Sequence, residues 1–167
     1  MRKSLKGKAK SDSRGDAAAA ATPIPAVGEG KRGEDGHLGY LLRQAGAAHR
    51  LRMERALSGE GVTSAQFAVL TMLAAYPGIS GADVARLCLL TPQTVSQIVA
   101  NLERDGLVGR EAHAVHGRIL QIGLSEAGRE ALARCRRTVM ALEKQLVAGL
   151  SPADEGAVRR WLVAVAR

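Results

Sequence analysis

The chain has 167 residues, a formal net charge of +8 and a pI near 10.2, with aromatic residues at only 2%. That length allows one domain plus a tail, with a core built from Leu, Val, Ala and Ile. Two widely separated cysteines exclude a disulfide framework and a cysteine zinc cage, and no apolar run reaches the length of a membrane span. The N-terminus lacks the apolar core of a signal peptide, so a cytoplasmic protein is expected. The positive charge favours a polyanionic partner, most simply nucleic acid.

Residues 1–36 read as a tail. They carry eight basic and five acidic side chains among Ala, Gly, Ser and Pro, with no apolar period. Such a segment cannot bury enough surface to offset its ordering entropy, so disorder is expected, with weak attraction to phosphates as a by-product.

A first helix is predicted over about 37–57. Leu38, Leu41, Leu42, Ala45, Ala48, Met53 and Ala56 share one face, and His49 and Arg52 fall on that same face. A second helix starts at Thr63-Ser-Ala-Gln66, which has the form of a capping box, and ends before Pro77-Gly78. It should bury Phe67, Val69, Leu70 and Leu73. A third helix, capped by Ser80, is expected to turn Val84, Leu87 and Cys88 inward. Leu89, Leu90 and Thr91 form the turn into a fourth.

The fourth helix, within TPQTVSQIVANLERDGL (Thr91 to Leu107), is the most informative. Thr91 suits an N-cap and Pro92 the first helical position, where a missing N–H costs nothing. Val95, Ile98, Val99 and Leu102 follow i, i+3, i+4, i+7 spacing and form a core stripe. Gln93, Thr94, Ser96, Gln97 and Asn101 lie off that stripe and are all short, uncharged hydrogen-bonding residues. A helix that enters a major groove needs amides and hydroxyls to read base edges and bond phosphates. Gly106 ends the helix.

Val108 to Glu111 and Ile119 to Leu124 read as strands around the tip AHAVHGR, with Leu120, Ile122 and Leu124 on the core face. Ser125 then caps a long helix to about Gly149. Its Leu132, Cys135, Val139, Leu142 and Leu146 repeat at 3 and 4 like a coiled-coil seam. Ser151-Pro152 opens a last helix with Val158, Trp161, Leu162 and Val165 on one face. The flanking helices hold more apolar surface than one small winged-helix core can cover. A second copy is therefore expected against Leu38, Leu42, Leu142, Leu146, Trp161 and Leu162.

The fold class expected is mainly α with a small β-hairpin wing: a winged helix-turn-helix over about 63–124, flanked by dimerisation helices over about 37–57 and 125–167. This order resembles the MarR family of bacterial transcription regulators across roughly His37 to Arg167. The residues that carry the resemblance are LTPQTVSQIVANLERDGLV and ILQIGLSEAGREAL. It implies a homodimer on an inverted-repeat operator, usually a repressor released by a small molecule. It also implies that Gln93, Thr94, Ser96 and Gln97 contact bases and phosphates, and that Arg118 is the wing-tip arginine of the minor groove. The wing departs from the family pattern. His116 stands where an acidic residue normally precedes that arginine by two, and Gly117 stands between them.

His113 and His116 have H-x-x-H spacing, but two ligands do not close a zinc site, and a polar wing tip touching DNA is the simpler reading. Cys88 and Cys135 fall on apolar stripes and read as small hydrophobes. Some MarR-like regulators sense peroxide through a cysteine near the start of the first helix. The matching segment here, LGYLL, has none. For His49 and Arg52 two readings stand side by side. A polar group on an apolar face needs a partner, supplied by the dimer interface or a carboxylate of the same chain. Alternatively His49, Arg52 and Met53 line an effector pocket for an anionic ligand; in the family that pocket lies between the dimerisation helices and the winged helix. No hydrolase elbow, phosphate loop or carboxylate–histidine site is present, so no enzyme and no cofactor are expected. Two alternatives remain open: a redox or metal sensor on the same scaffold, and a non-specific architectural DNA protein.

Overall fold

The computed structural model describes residues 24–112 and 120–167, with the side chains of Glu111, Ala112 and Leu120 excluded. Six α-helices and one hairpin follow in the expected order among them: α1 Leu38–Leu57, α2 Ser64–Ala75, α3 Gly81–Cys88, α4 Pro92–Arg104, β1 Val108–Ala112, β2 Leu120–Leu124, α5 Glu126–Leu146 and α6 Pro152–Val165. The described residues fall into two compact units, one ending at Leu41 and one beginning at Leu42. In the first, residues 24–36, read from the sequence as the end of the tail, carry local hydrogen bonds around a 3-10 turn at Gly30–Arg32. The Ala26 N–H donates to the Glu29 carboxylate at 2.9 Å, and the Arg32 guanidinium donates to the Pro25 carbonyl at 2.7 Å.

The helix starts follow from side-chain caps. Thr63 and Gln66 form the reciprocal capping box predicted for α2. Ser80, Thr91, Ser125 and Ser151 each accept an N–H from three residues on, opening α3, α4, α5 and α6. Pro92 and Pro152 occupy the first helical position of α4 and α6.

The core of the second unit is the winged helix. Val69, Leu70, Leu73, Val84, Ala85, Val95, Val99, Leu102 and Val108 are buried there, with Phe67, Ile98, Ile122 and Leu124 packed against them. Each fully buried Val or Leu among them contributes about 1.5–3 kcal/mol over leaving it in water. The hairpin is antiparallel, with Val108 opposite Leu124 and Arg110 opposite Ile122.

One assignment changes, and two other faces are resolved further. Leu87 is about half exposed, and Ala85 takes the inward place beside Val84 and Cys88. On so short a helix the inward face centres on those three, which leaves Leu87 at its outer edge. Leu132, Cys135 and Val139 belong to the core of their own chain, so the first half of the α5 seam is occupied within the winged helix. Of α1, only Leu57 is buried, with Met53 packed beside it on the core; Ala45, Ala48 and Arg52 on the predicted inner face are exposed.

Candidate nucleic-acid interface

The helix-turn-helix consists of α3, the turn Leu89 to Thr91, and α4. Helix α4 is held by Val95, Val99 and Leu102, each at most 2% exposed. Its C-terminus closes with the Leu107 N–H donating to the Leu102 carbonyl at 2.8 Å and the Gly106 N–H to the Glu103 carbonyl at 3.0 Å. This hydrogen-bond pair needs a left-handed residue between them, which Gly106 provides at φ 72°. The Ser125 hydroxyl donates to the Gly106 carbonyl at 2.6 Å, and the Ser125 N–H donates to the Leu107 carbonyl at 3.1 Å. Gly128 packs so closely that a methyl group there would collide with the same Leu107 carbonyl. Arg110 on β1 pairs with Glu103 at 2.6 Å. The end of α4 is thus tied to the first turn of α5 and to the wing base, which fixes the direction of its outer face.

On that face Thr91, Pro92, Gln93, Thr94, Ser96 and Gln97 are exposed and Asn101 is half-buried. The structure separates these residues by how their side chains are engaged. Thr91 caps the helix and shares a 2.8 Å hydroxyl contact with Thr94. Ser96 donates to the Pro92 carbonyl at 2.9 Å. Among the described residues the Gln93 and Gln97 amides have no hydrogen-bond partner. They lie one turn apart on the same row, and Asn101 and Arg104 continue that row toward the C-terminus. Arg104, opposed by Asp105 at 3.6 Å with its side chain 72% exposed, was missed in the sequence; continuing the i+4 and i+3 spacing from Gln97 would have found it. His113, His116 and Arg118 lie outside the described residues.

Away from α4, His49 is half-buried, and its Nδ1 is shielded from solvent without a hydrogen-bond partner among the described residues. Arg52 is exposed, and Met53 sits against the core. A separate cavity of about 530 Å³ lies between the end of α2, β2 and α5, lined by Leu73, Ile122, Leu132, Gln121, Arg129 and Arg136 among others. It does not include His49. Of the expected interface residues, Leu38, Leu146, Trp161 and Leu162 are exposed and Leu42 and Leu142 half-buried. Burial pushes both thiols, Cys88 and Cys135, above their ordinary pKa, with the Glu60 carboxylate adding to the shift at Cys135. Both therefore stay protonated and weakly nucleophilic near neutral pH. Among the described residues no three His, Cys, Asp or Glu side chains gather as a metal site, and no helix is long and apolar enough to cross a membrane.

Fold and interface together define a winged helix-turn-helix. A family model for the MarR family matches residues 60–119. Over 129 residues the chain is 36% identical to the HTH-type transcriptional repressor Rv2887 of Mycobacterium tuberculosis, covering 77% of this chain and 93% of that protein. The crystal structure of Rv2887 in complex with salicylic acid matches with a TM-score of 0.64 at 35% identity, over 79% of this chain and 98% of that one. The transcriptional repressor CouR, a Rhodococcus jostii protein, bound to a 23-mer DNA duplex, matches with a TM-score of 0.73 at 26% identity, over 83% of this chain and 99% of that one. This chain belongs to the MarR family of winged helix-turn-helix transcription regulators, which are not enzymes.

Proposed function

We propose that this protein is a homodimeric repressor that reads an inverted-repeat operator with α4 and releases it when a small anionic aromatic ligand binds. The observation that carries the reading is the pair Gln93 and Gln97: exposed, one turn apart, and without partners inside the described chain. A glutamine amide offers a donor and an acceptor together, the pattern that pairs with the major-groove edge of adenine. Thr91, Pro92, Thr94, Ser96 and Asn101 border that pair, and Arg104 at the end of the row suits a phosphate. Arg118 takes the wing contact by its position in the family pattern, and His113 and His116, which depart from that pattern, are read from the sequence as polar residues touching DNA. Binding by charge alone would be better served by Lys and Arg where this helix carries amides, so a non-specific architectural protein is the weaker reading.

The dimer is supported by Trp161 and Leu162, left 40% and 44% exposed on a helix that buries none of its residues. The exposed Leu38 and Leu146 and the half-buried Leu42 and Leu142 are read as further interface residues. The ligand site is assigned to His49, because a shielded ring nitrogen without a partner among the described residues is costly unless another group completes it. Met53 and the exposed Arg52 flank it. Rv2887 has been crystallised with salicylic acid, which makes salicylate the first probe.

The test is footprinting of the full chain on DNA flanking its own gene, across a salicylate titration. A two-fold symmetric footprint that fades with salicylate is expected. His49→Ala should keep operator affinity and lose the salicylate response. A well-folded His49→Ala protein with unchanged salicylate sensitivity would return His49 to a structural role, and a footprint without two-fold symmetry would overturn the dimeric reading.

A further inference from the structure

Helices α3 and α4 end in the same hydrogen-bond pair. At α4 the left-handed residue is Gly106. At α3 the Leu90 N–H donates to the Ala85 carbonyl at 2.9 Å and the Leu89 N–H reaches the Arg86 carbonyl at 3.3 Å, so the left-handed position is Leu89. Its φ and ψ are 53° and 41°. Among the described residues it is the one non-glycine with positive φ, and it is also the most exposed large apolar side chain, at 91%.

These two facts oppose each other if only folding is considered. The backbone at this place is used, because both N–H groups close α3 and Leu90 then packs on the core. The Leu89 side chain contributes nothing to that closure and strains it, because a Cβ crowds the backbone in this conformation. Glycine would close the helix without strain, as it does at α4. A large apolar side chain held in water at a strained position points to a use outside the chain.

Its place indicates the use. Leu89 lies two residues before Thr91, the cap of the helix whose N-terminal residues approach base edges in a helix-turn-helix. The apolar feature of a major groove is the C5 methyl of thymine. We infer that Leu89 is a specificity residue that contacts a thymine methyl beside the bases read by Gln93 and Gln97. The inference rests on the reading of α4 as the recognition helix.

The experiment begins with duplexes selected from a random pool by the full-length wild-type protein. Each thymine of a selected duplex is then replaced in turn by uracil, which removes only the methyl. Wild type should lose several-fold in affinity at one position of each half-site. Leu89→Gly should melt no lower than wild type, bind the thymine duplex several-fold more weakly, and show no loss at that uracil. Leu89→Asn, which also tolerates the left-handed backbone, should behave like Leu89→Gly. Leu89→Met, which keeps an apolar side chain, should retain most of the affinity. Equal affinity of wild type and Leu89→Gly, or the same uracil profile for both, would overturn the contact while leaving the α4 reading intact. A wild-type protein that selects no duplex would overturn both.

Discussion

The winged helix and the last helix dispose of their apolar side chains in opposite ways. In the winged helix Leu70, Leu102, Val84 and Val69 are at most a fraction of a per cent exposed, while on α6 Val158, Trp161, Leu162, Val163 and Val165 are all 40% exposed or more. Both regions have apolar faces at helical spacing and well-formed serine or threonine caps. Local signals therefore form the helices in both cases, and among the described residues only the winged helix finds a cover. The difference teaches that an amphipathic stripe states a requirement for a partner surface without saying which molecule supplies it. Helix α5 holds both conditions at once: Cys135 is fully buried against the winged helix, whereas Leu146, three turns on, is 44% exposed.

The comparison is broken most directly by cutting into each region. Leu102→Ala removes a fully buried side chain that packs α4 onto the core, and should cost about 2–5 kcal/mol. Urea unfolding would register the loss, and operator binding should fall with the folded fraction. Trp161→Glu with Leu162→Glu should leave that unfolding midpoint nearly unchanged in the monomer but abolish the dimer, as read by light scattering. If the double variant unfolds instead, α6 is part of the fold and the contrast between the two regions is lost.

Sharpening comes from the outer face of α4. Gln97→Ala should cost about 1–3 kcal/mol on the operator if its amide makes a bidentate base contact, with little change on random DNA. Equal losses on both would move Gln97 from base reading to phosphate contact. The smallest effect concerns the thiols. Since burial raises both cysteine pKa values, the folded state holds those protons more tightly. Their contribution to stability is full below the unfolded thiol pKa, near 9.0, and is lost as pH rises through the higher folded values. Native protein at neutral pH should react with iodoacetamide several-fold more slowly than unfolded protein, and hydrogen peroxide should leave operator binding unchanged. Fast alkylation of Cys88 would restore the redox-sensing reading.

Much of this was legible in the chain itself. The capping box at Thr63, the serine caps at 80, 125 and 151, the Thr91-Pro92 start and the Gly106 stop are local chemistry, decided within a few residues. Among the described residues they placed the starts of α2 to α6 to within one to a few residues. The polarity of α4 was legible for the same reason, because helical spacing alone separates Val95, Val99 and Leu102 from Gln93 and Gln97. What spacing cannot convey is engagement. Ser96 and Thr94 look as available as Gln97 in the sequence, yet their hydroxyls bond within the helix and its cap.

The sequence by itself determined which residues form helices and which side chains share a face, because backbone propensity, capping and periodicity act over one or two turns. Only the tertiary structure decided which of those faces is covered. It buried Ala85 in place of Leu87, divided the α5 stripe between core and surface, left the His49 Nδ1 shielded without a partner among the described residues, and put Leu89 in a left-handed turn with its side chain in water. Each of these depends on what approaches from elsewhere in the chain, and a one-dimensional pattern carries no record of that approach.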